Sequence, residues 1–139
     1  MDYKYTLTGL YHLLILADDS VNEKELAFGK QMLKVEGIDE SVFKTQMEVL
    51  KTKKSASIYA ECVSGLKKLD KKKQIRCMGW LSAIANADGF MDKEEWELIY
   101  KIYHTELGLP LDEIMKMQKD LNLLIHGKSF QSIGIRVNK

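Results

Sequence analysis

The stretch ADGFMDKEEW, residues 87–96, is the most informative part of the sequence about the fold, because a related stretch occurs 70 positions earlier. That earlier stretch, residues 17–26, reads ADDSVNEKEL, and apolar residues with helical spacing come before and after both copies. Such spacing places an apolar stripe along each flanking helix. The sequence therefore predicts an internal duplication of a unit made of a helix, an acidic turn and a second helix. After one inserted residue, Gly37-Ile38 corresponds to Gly108-Leu109.

Apolar residues recur at intervals of three and four along the chain, and no run alternates convincingly as a strand would. This pattern predicts about seven helices, near residues 5–18, 22–35, 39–52, 56–69, 71–87, 92–106 and 110–126. Glycines inside these patterns, Gly29, Gly65 and Gly79, indicate close helix packing. We expect an all-α, single-domain bundle over residues 1–126, followed by a tail, residues 127–139, that is extended or disordered.

Composition favours a soluble globular chain. Its 139 residues are 45% hydrophobic and 29% charged, with a net charge of +1. The longest apolar stretch near the start is far shorter than the ~20 residues that a membrane-spanning helix needs, and no signal peptide is recognisable. Cys62 and Cys77 form no C-x-x-C pair, so they are predicted to be buried free thiols. We therefore expect a cytoplasmic protein.

Both acidic turns have the pattern of a helix N-terminus. Asn22 and Asp92 stand where a side chain caps the following helix, and Glu25 and Glu95 stand three positions on, as in a capping box. Gly89 is expected in the left-handed conformation that often follows a helix. Helix capping therefore explains most of these residues without any ligand.

Asp18 and Asp88 do not fit the capping explanation. Each is expected at the C-terminal end of a helix, where the helix dipole disfavours a negative charge. One hypothesis is that each turn brings three oxygen-bearing side chains together around a divalent cation, calcium or magnesium. It predicts a metal site at Asp88, Asp92 and Glu95, and a weaker one at Asp18, Asn22 and Glu25. The alternative is that Asp18 and Asp88 accept hydrogen bonds from the backbone of their own turns.

An enzyme is not indicated. The three histidines, His12, His104 and His126, are scattered, and surface or capping roles are expected for them. The chain has no glycine-rich phosphate loop, no nucleophile elbow and no Cys/His/Asp arrangement. A small hydrolase is therefore the least favoured function, and we predict no catalytic residue.

Charge is unevenly distributed along the chain. Residues 44–76 carry ten basic and three acidic groups, whereas the segments on both sides, residues 1–43 and 77–126, are acidic. A lysine-rich stretch is usually a solvated face, but it also serves as a docking patch for an acidic partner or an anionic membrane surface. Self-association of the basic segment with the acidic ones is a further hypothesis. Few aromatic residues lie among the lysines, so no specific nucleic acid is expected. The residues that define this candidate partner-binding face are Lys67, Lys68, Lys71, Lys72 and Lys73.

Residues 87–95, ADGFMDKEE, resemble the A-D-G-x-[hydrophobic]-x-x-x-E signature of TerB-like domains. That family includes the tellurite-resistance protein TerB and the N-terminal domain of DnaJ-like membrane chaperones, and the likeness extends over roughly residues 5–125. It implies a bacterial, cytoplasmic helical bundle associated with stress response or tellurite-type resistance, with a suggested metal-binding role for the acidic residues. Asp88, Asp92 and Glu95 match the family's acidic positions, whereas Asp19 replaces the usual glycine in the first copy.

From these observations we predict a non-enzymatic TerB-like interaction domain. Its acidic turns and its lysine-rich face are expected to be docking surfaces, with a partner protein as the main ligand. The alternative is a divalent-metal-binding domain that uses the acidic turn at residues 88–95.

Overall fold

The computed structural model describes residues 2–17, 23–87, 89 and 91–134, with side chains up to His126. Within these ranges the chain forms seven α-helices and no strand, which confirms the predicted all-α class. The sixth helix, Lys93–Tyr100, continues directly into a π-helical segment, Lys101–Glu106, which we call the π segment. The helices are α1 Tyr3–Ala17, α2 Glu23–Glu36, α3 Glu40–Lys51, α4 Ser55–Lys67, α5 Lys71–Ala85, α6 Lys93–Tyr100 and α7 Leu111–Gly134.

The C-terminal end of α7 differs from the prediction. The helix was expected to end near residue 126, but it continues to Gly134. A single glycine inside a helix, such as Gly127, costs only about 1 kcal/mol relative to alanine and does not have to end it. Residues 127–134 are therefore helical rather than extended, while residues 135–139 lie outside the described part of the chain. The domain boundary itself stays a prediction.

In each predicted unit, the second helix is followed by a glycine with positive φ. Gly37 follows α2 with φ +67°, and Gly108 follows the π segment with φ +63°. These left-handed conformations suit glycine, which lacks a Cβ atom. The next residue in each case, Ile38 or Leu109, turns back into the core and is 8% exposed. The duplication of the whole unit stays a prediction.

The helices α1 and α5 lie in the centre of the bundle, with α4 packed on α1 and α7 packed on α5. Gly79 brings α5 close to α7, since a Cβ atom there would lie 2.5 Å from the Cγ atom of Met117. Gly29 does the same for α2, because its Cβ atom would lie 2.7 Å from the hydroxyl of Tyr11. The close packing predicted at these two glycines is confirmed.

The two cysteines are buried free thiols, as predicted. Cys62 is 1% exposed and Cys77 is fully buried. None of the helices in the described part of the chain combines the length and the hydropathy needed to cross a lipid bilayer.

Candidate functional site

The second acidic turn leads into α6 through a short left-handed step. Gly89 has φ +95°, as predicted, and its N–H donates to the carbonyl oxygen of Asn86 at 2.9 Å. Asp92 occupies the N-cap position of α6 with extended backbone angles, which confirms its predicted place. Its side chain makes no capping hydrogen bond, however, and Asp92 interacts elsewhere. The prediction that this carboxylate caps the helix is therefore wrong.

Among the described acidic residues of the two turns, Glu95 and Glu25 are the buried ones. Glu95 is 1% exposed and Glu25 is 4% exposed, each in the first turn of its helix. A carboxylate leaves water at a high cost unless other groups compensate it, and both residues have interaction partners. Burial raises the pKa of Tyr11 to about 12, with a further contribution from the negative charge of Glu25. In each acidic turn the described residues thus include one carboxylate that lies inside the bundle.

The predicted metal sites are only partly described. Asp18, Asn22 and Asp88 lie outside the described residues, so the structure does not place them relative to Glu25, Asp92 and Glu95. Among the described residues, no group of three or more His, Cys, Asp or Glu side chains is arranged to hold a metal ion. Asp92 and Glu95 thus offer two of the three predicted ligands of the second turn.

The five candidate lysines are all exposed and are close in sequence, at the C-terminal end of α4 and in the first turn of α5. We call this surface the lysine face; it consists of Lys67, Lys68, Lys71, Lys72 and Lys73. Asp70 lies among them, but its Oδ1 atom accepts the N–H of Lys73 at 2.8 Å and caps α5. The only acidic side chain between these lysines therefore serves the helix N-terminus.

Two lysines of this face have weak ion pairs. The Nζ atom of Lys67 lies 4.0 Å from Glu106, and that of Lys71 lies 3.7 Å from Glu113. Such exposed pairs contribute little, about 0–1 kcal/mol each. Lys68 and Lys72 have no ion pair with any described residue. Positive charge on this face is thus only slightly compensated by the protein itself.

A groove runs along the exposed side of α4 and ends at the lysine face. It consists of two adjoining depressions of about 580 and 530 Å³ that share Tyr59. The first is closed by the end of α1 and by Leu98 and Lys101; the second is closed by Glu106 of the π segment. We call it the α4 groove; on α4 it is lined by Ser55, Ala56, Tyr59, Ala60, Val63, Ser64, Lys67 and Lys68.

Two contacts hold the wall of this groove in place. The hydroxyl of Tyr59 donates to the Oε2 atom of Glu106 at 2.9 Å. The Nζ atom of Lys101 lies 4.6 Å from the centre of the Tyr59 ring, within cation–π distance. Burial and the nearby carboxylate of Glu106 raise the pKa of Tyr59 above its usual value. Tyr59 therefore stays a neutral hydrogen-bond donor that joins α4 to the π segment.

A buried polar network was missed by the sequence analysis. Glu36, whose side chain is 7% exposed, accepts hydrogen bonds from the Nε atom of Arg76 at 2.8 Å and from the indole N–H of Trp80 at 2.9 Å. Burial alone would raise the pKa of Glu36, but these bonds and the Arg76 charge outweigh it and lower the pKa. The available signal was an acidic residue at the C-terminal end of a helix, a place that the helix dipole disfavours unless a cation lies nearby.

The exposure of the three histidines agrees with the prediction at two positions and differs from it at one. His104 and His126 are exposed, as expected, and the ring of His104 stacks on Tyr100 with 4.6 Å between centroids. His12 is instead 4% exposed, because its position on α1 faces the core. The expectation of a surface or capping role for His12 is therefore wrong.

The comparison with known families decides the identity of this helical bundle. The family model described as "Tellurite resistance protein TerB" matches residues 5–119, which is most of the chain. The chain belongs to the TerB family. This match confirms the resemblance carried by residues 87–95, and TerB domains form a non-catalytic helical family. Comparisons with curated proteins and with solved structures found no match.

Proposed function

We propose that this TerB-family chain is a non-enzymatic interaction domain whose lysine face docks an acidic surface of a partner protein. The observation that supports this most strongly is the exposure of five neighbouring lysines, of which Lys68 and Lys72 have no ion pair among the described residues. Concentrated charge of one sign speeds encounter with an oppositely charged partner and selects against others. An acidic protein surface is the complement of this face.

Poly-L-glutamate is the probe that tests this proposal. We expect fluorescently labelled poly-L-glutamate to bind, and the charge-reversing pair Lys68→Glu and Lys72→Glu to weaken binding by about tenfold or more, which corresponds to ~1.4 kcal/mol. The matched control is Lys44→Glu with Lys116→Glu, which changes the net charge equally at two exposed lysines elsewhere. Fluorescence anisotropy at low and at physiological salt measures both.

Two results would contradict the proposal. Equal losses in both double variants would show that net charge alone attracts the probe, so that the lysine face has no special role. Tighter binding to anionic lipid vesicles or to an oligonucleotide than to poly-L-glutamate would assign the face to a membrane or to nucleic acid instead of a protein.

A second candidate function, divalent-metal binding at the second acidic turn, is favoured by the burial of Glu95. Glu95 is 1% exposed, Asp92 precedes it by three residues, and carboxylate oxygens are the ligands that a hard cation prefers. In this proposal Asp88, Asp92 and Glu95 bind the ion, and backbone carbonyls or water complete its coordination. The first turn, with Asp18, Asn22 and Glu25, binds more weakly.

Calorimetric titration with calcium, magnesium, zinc and manganese tests this second candidate. We expect Asp88→Asn to abolish most of the binding heat and Asp18→Asn to change it little. Glu94→Gln is the matched control, because Glu94 is an exposed acid of the same helix turn. The absence of both binding heat and thermal stabilisation with all four ions would rule this candidate out.

A further inference from the structure

We propose that the α4 groove receives an amphipathic helix of the partner protein, with its apolar part over the end of α1 and its acidic part over the lysine face. This proposal rests on the proposed function and specifies how the acidic partner is recognised. It joins two observations: a groove that follows α4 along its length, and a change of chemistry from one end of that groove to the other.

The first end of the groove is mostly apolar, although Ser55 and Lys101 also border it. Leu13 and Ala17 of α1 and Leu98 of α6 line it, together with Leu16, whose side chain is 53% exposed. Exposed leucine in a concave site favours contact with an apolar side chain of a ligand, since burial contributes about 25 cal/mol per Å². This end therefore suits leucine- or phenylalanine-type anchors.

The second end of the groove is basic. Lys67 and Lys68 lie on its rim, and Lys71 and Lys72 follow at the start of α5. Glu106 lies in this end, 4.0 Å from Lys67 and 2.9 Å from the hydroxyl of Tyr59, so one carboxylate of the chain already lies beside Lys67. The carboxylates of a partner would meet the outer lysines, Lys68 and Lys72.

The length of the groove favours a helix as the occupant. The helix α4 has 13 residues, which corresponds to about 20 Å at 1.5 Å per residue. A partner helix of three to four turns lying along it satisfies its own backbone hydrogen bonds and presents an apolar stripe, as in other helix-in-groove complexes. A nucleic acid is less suited, because the ring face of Tyr59 is covered by Lys101 and offers no platform for a base.

Two peptides of equal length and equal charge separate this proposal from simple charge attraction. The first is a labelled peptide of about 18 residues, roughly five helical turns, with leucines at helical spacing in one half and glutamates in the other. The second has the same composition in scrambled order, so that it forms no apolar stripe. We expect the amphipathic peptide to bind about tenfold more tightly than the scrambled one.

The variant that tests the groove is Ala60→Trp, which fills the middle of the groove at an exposed position of α4. We expect it to weaken binding of the amphipathic peptide by about tenfold, while binding of poly-L-glutamate changes little. The matched control is Ala27→Trp, the same substitution at an exposed position of α2. Circular dichroism verifies that both variants keep the helical content of the parent chain.

The outcomes distinguish the two proposals. If the lysine reversals abolish poly-L-glutamate binding but Ala60→Trp leaves the amphipathic peptide unaffected, the groove proposal is wrong and the lysine face stands. If both peptides bind equally well, the groove likewise does not select an amphipathic helix. If neither peptide nor poly-L-glutamate binds, the proposed function itself fails.

Discussion

The segment after the first acidic turn and the segment after the second have the same length but different geometry. The first, α2, is a regular α-helix of 14 residues, whereas the second begins as eight α-helical residues and ends as six π-helical ones. Their buried positions nevertheless correspond at an offset of 70. Met32 and Ile102 are both fully buried, and Leu33 and Tyr103 are 6% and 4% exposed.

The π segment accounts for the one extra residue that lies between the second segment and its glycine turn. Gly37 follows α2 directly, whereas Leu107 intervenes before Gly108. The N–H of Leu107 donates to the carbonyl oxygen of Ile102 at 3.1 Å, five residues back, as in a π-turn. A π-bulge accommodates an extra residue within a helix. The comparison shows that widening one helix keeps the glycine turn and the buried residue after it in place.

Single-residue deletions in the two segments should have the largest effect on the free energy of unfolding. Deleting Thr105, an exposed residue of the π segment, should let the segment close to a regular helix and cost no more than about 2 kcal/mol. Deleting Lys34 removes a residue from α2, a regular α-helix that contains no extra residue. The deletion rotates Gly37 and Ile38 by about 100° about the helix axis relative to the preceding turns. We expect that variant to lose at least about 3 kcal/mol or to fail to fold. Urea unfolding followed by circular dichroism compares the two, and equal losses would mean that the π segment holds no extra residue.

The two segments also differ at their last residues, both acidic. We expect removal of the cationic partners of these residues to have effects on stability of intermediate size. Glu36 is buried against Arg76, whereas Glu106 is 25% exposed beside Lys67. Removing a partner of a buried charge leaves it uncompensated, so Arg76→Ala should destabilise by about 2–4 kcal/mol, reduced because Arg76 is partly exposed. Lys67→Ala should cost less than about 1 kcal/mol. Chemical unfolding measures both free energies.

A second substitution separates the charge effect from lost packing. Adding Glu36→Gln to Arg76→Ala should recover part of the loss, because the buried carboxylate is then neutral. A double variant that is no more stable than Arg76→Ala alone would contradict this interpretation.

The smallest expected effect concerns the first helix of each unit. His12 of α1 is 4% exposed, and the residue 70 positions on, Ser82 of α5, is 2% exposed. Burial and the positive charge of Lys51 lower the pKa of His12. The unfolded chain then binds a proton at higher pH than the folded chain, so stability should fall as pH drops below about 6.5.

Replacing His12 by the residue of the other unit tests that pH dependence. His12→Ser should flatten the free energy of unfolding between about pH 7 and pH 5 by up to ~1.4 kcal/mol per pH unit. His104→Ser, at an exposed position, is the matched control for replacing a histidine by serine. Parallel curves for the parent chain and His12→Ser would show that His12 does not titrate in this range.

Local sequence patterns predicted most of the fold. The features that the sequence analysis missed depend on contacts between residues that are distant in sequence. Apolar periodicity located all seven helices within the described ranges, and Gly89 was identified as left-handed from its place after a helix. The inserted residue before Gly108 was visible, but its accommodation by a π-helix depends on packing. The lysine face was found because its residues are adjacent in sequence. The pair Glu36 and Arg76 joins residues 40 positions apart, which no periodicity connects.

Burial of the cysteines determines how readily their thiols react with oxidants and alkylating agents. Cys62 lies against Gly9 so closely that a Cβ atom there would be 2.7 Å from its sulfur. Burial, with a contribution from Glu61, raises the pKa of this thiol to about 12. Since the thiolate is the form that reacts, oxidants and alkylating agents find an inert sulfur as long as α1 and α4 stay together. The rate at which a thiol reagent modifies Cys62 therefore reports how often these two helices separate.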